Sequence, residues 1–249
     1  MKKIFFTLLA LVGTMSMNAQ VVKLYKGDVL VTSYDASQVD NVVFEEAPAA
    51  TTGTAKATIG GSEVDVNWVQ LWDGGPKFAE YNIGATSATE NGGYYAWGGT
   101  YMNGIGITWY EDPNTGNAVL TGNDDTATAL WGSKWRMPTK EEFDNLLKNC
   151  TVEWIDGDTK KYNNTDVKGL LCTGKGDYKD NSVFLPAAGF CKDGDGSGQG
   201  SGQGRKGCYY SSTPYDSKYA YNLSFIISNT QSVDFDIRYN GYSVRAVLK

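Results

Sequence analysis

The side chains that usually carry acid–base and nucleophilic chemistry near neutral pH are scarce in this chain, which contains no histidine. That count removes the commonest general base, the commonest zinc ligand and every Ser–His or Cys–His nucleophile pair. Carboxylate pairs and Ser–Lys couples are what an enzyme would have left. The four cysteines, Cys150, Cys172, Cys191 and Cys208, form no CxxC, so neither zinc binding nor dithiol redox chemistry is indicated. Cys191 and Cys208 flank one long Gly-rich excursion and Cys150 and Cys172 another, and each of these two pairs could close its loop as a disulfide, which would stabilise the fold by restricting the unfolded chain. Buried thiols packed as small hydrophobes fit the same spacing. Asp193-Gly-Asp-Gly-Ser-Gly opens like an EF-hand calcium loop, but Gly204 stands at its twelfth position, where a bidentate Glu is required. A flexible Gly/Ser loop accounts better for that run. Neither a metal nor another cofactor is expected, and the chain is read as a non-enzyme.

Binding chemistry is denser. Tyr209 to Tyr242 is rich in Tyr, Ser, Asn and Asp, the mixture that antibody-like paratopes use. Tyr215, Asp216 and Tyr219 lie in a turn entering one strand, and Asp234, Asp236 and Arg238 share the solvent side of the next. Tyr239 and Tyr242 follow at its far edge. If the two strands pair through Ser228 to Ser232, these residues fall on one side of the domain. Tyrosine rings beside carboxylates suit a sugar or a protein hot spot. The plainer account is that Tyr and Ser are common on exposed β-faces. Tyr101, Trp109 and Tyr110 are the second candidate group. The formal net charge of −6 argues against nucleic acid, whose affinity rests on Lys and Arg neutralising phosphates. It argues equally against an anionic membrane surface.

The elements that must position these residues are mostly strands. Glu63 to Leu71 alternates as a strand with Val64, Val66, Trp68 and Val69 apolar, and a Gly- and aromatic-rich stretch follows at Gly92 to Tyr101. Thr139 to Asn149 predicts a helix: Thr139 and Glu142 make a capping box, and Phe143, Leu146, Leu147 and Cys150 form one apolar stripe. A shorter helix is predicted from Asp125 to Leu130, capped by Asp124 or Asp125. After Cys150 the chain reads as strands and turns. Tyr219, Tyr221, Leu223 and Phe225 alternate with Ala220, Asn222 and Ser224, and Val233, Phe235 and Ile237 with Asp234, Asp236 and Arg238. Strict alternation predicts an apolar face turned to the core and a solvent face carrying Asn222, Ser224, Asp234, Asp236 and Arg238. Arg136 is expected to pair with an internal carboxylate such as Glu142, and Arg245 likewise with a carboxylate.

Several of these runs together resemble a known family. Tyr81-Asn-Ile-Gly-Ala85, Tyr94-Tyr-Ala-Trp-Gly98 and Trp131-Gly-Ser-Lys-Trp-Arg-Met-Pro-Thr139 come first, the last leading into Glu141-Glu142-Phe143. Phe184-Leu-Pro-Ala-Ala-Gly189, Tyr209-Tyr-Ser-Ser-Thr213 and Tyr242-Ser-Val-Arg-Ala-Val247 follow in order. They resemble the Fibrobacter succinogenes major paralogous domain, common in exported proteins of gut Bacteroidetes. The resemblance implies an α+β, C-type-lectin-like fold of twisted antiparallel strands with two flanking helices; it implies no activity. Glu111-Asp-Pro-Asn114 is similar to a calcium-lectin Glu-Pro-Asn triplet but carries an insertion, and the partner Trp-Asn-Asp triplet is absent. A likeness to formylglycine-generating enzymes through Arg136-Met-Pro-Thr139 would require reactive cysteines near the carboxyl end, and none follows Cys208.

Lys2 and Lys3, the apolar run Ile4 to Val12 and the small-polar run Gly13 to Gln20 read as a signal peptide over residues 1–20, too short in its apolar core to span a bilayer. Residues 21–51 read as a small β-like appendage and linker: runs at Val21 to Tyr25 and Asp28 to Ser33 about Lys26-Gly27, a third at Asn41 to Phe44, and a structure-poor Ala47 to Thr54. Residues 52–249 form the main domain. The expectation is an exported ligand-binding or adhesion module, periplasmic, surface-borne or secreted, recognising a glycan or protein. It is not expected to insert in a membrane once the leader is removed. A structural envelope component without a small ligand is the alternative, and a formylglycine-generating-like enzyme the remote one.

Overall fold

The computed structural model describes residues 21–26, 29–35, 49–100, 116–192, 201–227 and 230–249. The leader, Asn41 to Phe44, Glu111 to Asn114 and the start of the Asp193 run lie outside the described residues, as do Tyr101, Trp109 and Tyr110. The chain divides into two compact units, Met1–Ala50 and Thr51–Lys249. In the first, β1 (Val21–Lys26) pairs antiparallel with β2 (Val29–Asp35), with Lys26 opposite Val29 across the expected turn.

The second unit is an α+β domain in which antiparallel strands dominate. It opens with β3 (Thr52–Ile59), so Thr52 to Thr54, read from sequence as part of a linker, are a strand paired with β4 (Ser62–Gln70). Local composition could not reveal this, because the partner strand supplies the order. The connection is Gly60-Gly61, both at positive φ (59° and 82°), the geometry that a two-residue hairpin turn demands and glycine meets without strain. β3 and β4 join β5 (Lys77–Ala79), β13 (Val247–Leu248) and β6 (Trp135–Arg136) in a sheet of order β3-β4-β5-β13-β6. A second sheet orders β7 (Thr151–Ile155), β8 (Gly169–Thr173) and β9 (Ser182–Pro186); a third orders β10 (Lys206–Pro214), β11 (Tyr219–Ile226) and β12 (Thr230–Ile237).

Both expected helices form. α1 (Thr126–Trp131) is capped by Asp125, whose carboxylate accepts from the Thr128 and Met137 backbone N–H groups. α2 (Lys140–Asn149) carries the capping box between Thr139 and Glu142. The same Glu142 accepts a two-pronged contact from Arg136 at 2.7 and 2.5 Å, which fastens β6 to the helix start.

Among the described residues, two large apolar clusters and a small one of Tyr94, Ala188 and Cys191 form the interior. Of the two large ones, the first gathers Trp97, Trp131, Trp135, Tyr210, Tyr242 and Val244; the second gathers Phe143, Leu146, Leu170, Leu185, Tyr209 and Leu223. β10 runs between them and sends Tyr210 into the first and Tyr209 into the second, the period-2 alternation of a strand buried on both faces. All four cysteines are buried free thiols. Burial pushes Cys150 and Cys208 up to about 11, so both stay protonated at neutral pH.

Candidate functional site

The carboxyl-terminal sheet holds the residues singled out as a binding face, and its register decides which of them meet. In the turn before β11, the Asp216 carboxylate accepts from the N–H groups of Lys218 and Tyr219 at 2.7 and 2.9 Å, and the Tyr215 N–H donates to the Tyr219 carbonyl. This Asx turn folds Tyr215 back over the strand. Between β11 and β12, Tyr219 stands opposite Ile237 and Tyr221 opposite Phe235. Directly paired residues point to one face, so Tyr219, Tyr221 and Phe235 converge there. Tyr215 stacks on Phe235 with centroids 3.8 Å apart and rings 10° from parallel. Tyr221 and Tyr219 meet the pair edge-on, and the Lys140 ammonium sits 5.1 Å from the Tyr221 centroid. Tyr215 and Phe235 remain 48% and 41% exposed.

Only part of the sequence-predicted set assembles here. Tyr215, Tyr219 and the turn-forming Asp216 come together. Asp234 and Asp236 pair with Asn222 and Ala220 and therefore point to the opposite face, contrary to the expectation of a single side. Asp236 accepts the Tyr242 hydroxyl hydrogen bond. Arg238, expected in solvent, is only 4% exposed. Its guanidinium lies 4.0 Å from the Trp97 centroid and donates to the Asp216, Tyr219 and Gly116 carbonyls, which ties the turn to the core. Tyr242 is core as well: it stacks on Tyr210 at 4.4 Å, and burial raises its hydroxyl pKa. Tyr239 is half-buried, while Asn222, expected on the solvent face, is buried.

Sequence reasoning missed Tyr221 and Phe235, both assigned to a buried face. Farther along that face Phe225 is buried against Trp154 and Tyr209, and α2 covers Leu223 and Val233, which cluster with Phe143, Leu146 and Leu147. The helix begins beside Tyr221, with Lys140, and the rings beyond it stay uncovered. Counting the register outward from the β11–β12 hairpin would have paired Tyr221 with Phe235; nothing local says where the helix ends over the sheet.

Among the described residues, no group of three or more Cys, Asp or Glu gathers as a metal site would require. Arg245 is fully buried and, unlike the carboxylate pairing expected for it, donates to oxygens that carry no charge. Nε reaches Asn82 Oδ1 at 2.9 Å, Nη1 the Ala79 and Glu80 carbonyls at 3.1 and 2.8 Å, and Nη2 the Phe184 carbonyl at 2.9 Å. Burial lowers its pKa, with the Tyr209 and Tyr162 hydroxyls opposing that shift.

A sequence-family profile described as a domain of unknown function (DUF8237) matches residues 150–247. That stretch contains β7 to β12 and every aromatic residue of the surface just described. No curated protein and no solved structure matches the chain.

Proposed function

We propose that the chain is an exported binding or adhesion module with a C-type-lectin-like fold, and that it engages a protein partner through Tyr215, Tyr219, Tyr221 and Phe235. The exposed ring cluster carries this reading. Large apolar rings stacked at a surface gain little from water and much from a partner that buries them, and aromatic side chains dominate protein hot spots. The carboxylates that a sugar would need beside the rings are elsewhere: Asp234 and Asp236 face the other way, and the Asp216 carboxylate holds its own turn. A protein hot spot therefore suits this face better than a glycan. In support of the lectin-like assignment, the opening strands β3 to β5 share a sheet with the closing strand β13, and two helices flank antiparallel strands.

The test is parallel screening of the chain and its Tyr215→Ala/Phe235→Ala variant on protein and glycan arrays, with thermal melts of both. Protein ligands lost in the variant, at an unchanged melting temperature, support the reading. Protein ligands retained by the variant, or glycan ligands alone that depend on these rings, overturn it.

A further inference from the structure

The outward main-chain groups of a sheet edge must be met by protein, by water or by a partner. In the Thr51–Lys249 unit most edges are met by protein. β10 is engaged by main chain: the Ser243 N–H donates to the Cys208 carbonyl and the Ser212 N–H to the Pro138 carbonyl, at 3.0 and 2.8 Å. On β3 the Lys56 carbonyl accepts from the Trp135 indole at 3.0 Å, and on β6 the Trp135 carbonyl accepts from the Thr128 hydroxyl at 2.6 Å. On β9 the Phe184 carbonyl accepts from Arg245 and the Pro186 carbonyl from the Tyr209 hydroxyl, at 2.9 and 2.8 Å. β12 is closed by its own carboxylates, the Phe235 N–H donating to Asp234 at 2.8 Å and the Ile237 N–H to Asp236 at 2.7 Å. A strand approaching β12 finds those donors taken and negative charge in its way.

β7 is different. Next to it in the sheet, β8 turns its even-numbered residues toward β9: the Gly174 N–H donates to the Asn181 carbonyl and the Lys168 carbonyl accepts from the Ala187 N–H, at 3.0 and 2.7 Å. Successive residues of a strand face opposite neighbours, so Leu171 and Gly169 face β7, opposite Glu153 and Ile155. That leaves the N–H and carbonyl groups of Val152 and Trp154 pointing away from the sheet, and among the described residues none of them has a partner. An open groove of about 590 Å³ runs there. Successive residues Thr151 to Trp154 line it and no described residue of β8 does, which places it along the outer edge of β7.

The two faces of β7 differ in chemistry. Val152 and Trp154 turn toward the second apolar cluster, where Trp154 meets Phe225 edge-on at 6.3 Å. Ile227, two residues beyond Phe225, also lines the groove; it is 50% exposed and its N–H is held by the Arg205 carbonyl at 2.8 Å. Glu153 lies on the opposite face, and the charged lining is Glu153, Asp156 and Lys160, with Lys160 already paired to Glu153. One negative charge is left unbalanced. Free main-chain donors and acceptors in strand register recognise an extended backbone, and the flanking side chains select its sequence. We infer that the outer edge of β7 receives an extended segment of another polypeptide as an added antiparallel strand, with apolar residues beside Val152, Trp154 and Ile227 and basic residues at the alternate positions beside Glu153. Antiparallel addition is the more stable of the two directions. A second copy of β7 fits poorly, because antiparallel pairing of all five residues sets Glu153 directly against itself, and like charges so placed repel. Ile226 and Tyr219 stand at opposite ends of the β11–β12 hairpin, so this edge and the aromatic surface are separate and the inference does not rest on that surface.

Fluorescence anisotropy of the full chain with a labelled heptapeptide of alternating lysine and valine tests this. The peptide should bind, with its valines opposite Val152 and Trp154 supplying the N–H groups that face β7. N-methylation of the valines should therefore weaken binding about tenfold or more, the loss of one or two hydrogen bonds. N-methylation of the inner lysines, whose amides face away, should leave affinity within about twofold. A peptide with glutamate in place of lysine should bind about fivefold more weakly or worse. Ile227→Lys, at an exposed position where folding is not at stake, should weaken the lysine–valine peptide about tenfold by removing apolar contact and adding like charge. Tyr215→Ala should leave it unchanged, which separates this edge from the aromatic surface. The inference is overturned if the lysine–valine peptide fails to bind up to about 1 mM, or if its valine-methylated or glutamate form binds as tightly. It is equally overturned if Tyr215→Ala abolishes binding while Ile227→Lys retains it. A dimer of the free chain that Ile227→Lys disperses would also overturn it, since the occupant of the edge would then be a second copy.

Discussion

Replacing Arg245 by Met keeps the length and apolar stem of the side chain but removes every donor from a fully buried position. Four acceptors lose their partner: the carbonyls of Ala79, Glu80 and Phe184, and Asn82 Oδ1. Each orphaned buried acceptor costs about 1 kcal/mol or more, and a hydrogen bond from a charged donor contributes about 1.5–3 kcal/mol. Part of that sum is offset, because methionine no longer carries the desolvation cost of a buried guanidinium. The net expected loss is about 3–4 kcal/mol, or roughly 6–15 °C in melting temperature for a domain of this size. Arg245→Lys should recover little, since an ammonium is a point donor that cannot span carbonyls on two separate strands. Urea unfolding followed by tryptophan fluorescence measures the change. A loss under about 1 kcal/mol for Arg245→Met would mean that water or side-chain rearrangement satisfies those oxygens, and the clamp assigned to Arg245 would be refuted.

Asp156 accepts from the N–H groups of Asp158, Thr159 and Lys160 and from the Thr159 hydroxyl; that hydroxyl bond, the largest contribution, and the backbone donors hold its carboxyl well below the usual carboxylate range. Because its folded pKa is depressed, its stabilisation is present above the unfolded value near 4 and is lost as pH falls below that value. Carbon-detected NMR titration should find its midpoint well below the free aspartate value near 4, and a midpoint near 4 would contradict this geometry. The free cysteines should resist a thiol reagent at pH 8 in the native state and all react after denaturation, given their burial and the raised Cys150 and Cys208 values; rapid native labelling, or fewer reactive thiols in denaturant, would count against it. Material from the native host should have an intact mass corresponding to a chain beginning near Gln20 or Val21, and retention of Met1 would exclude the signal-peptide reading.

The sequence by itself determined what depends on neighbours along the chain. The Thr139–Glu142 capping box and the apolar stripe behind it specify α2, because both act within one or two helical turns. The Asp216 turn follows from a side chain reaching its own backbone, whereas the β3–β4 hairpin about Gly60-Gly61 emerged only with the strand pairing. The pairing of β11 with β12 was also legible, since two alternating runs joined by a short polar link have one obvious partner. Tertiary structure alone decided which face of that pair meets water. Alternation states that two faces differ but not which is covered, and α2 covers one face only as far as Leu223 and Val233, leaving Tyr221 and Phe235 outside. Arg238 and Arg245 were misread for a related reason. A guanidinium can be satisfied by several backbone carbonyls as well as by one carboxylate, and those carbonyls come from residues 19 to 166 positions away that only the folded chain brings within hydrogen-bond reach.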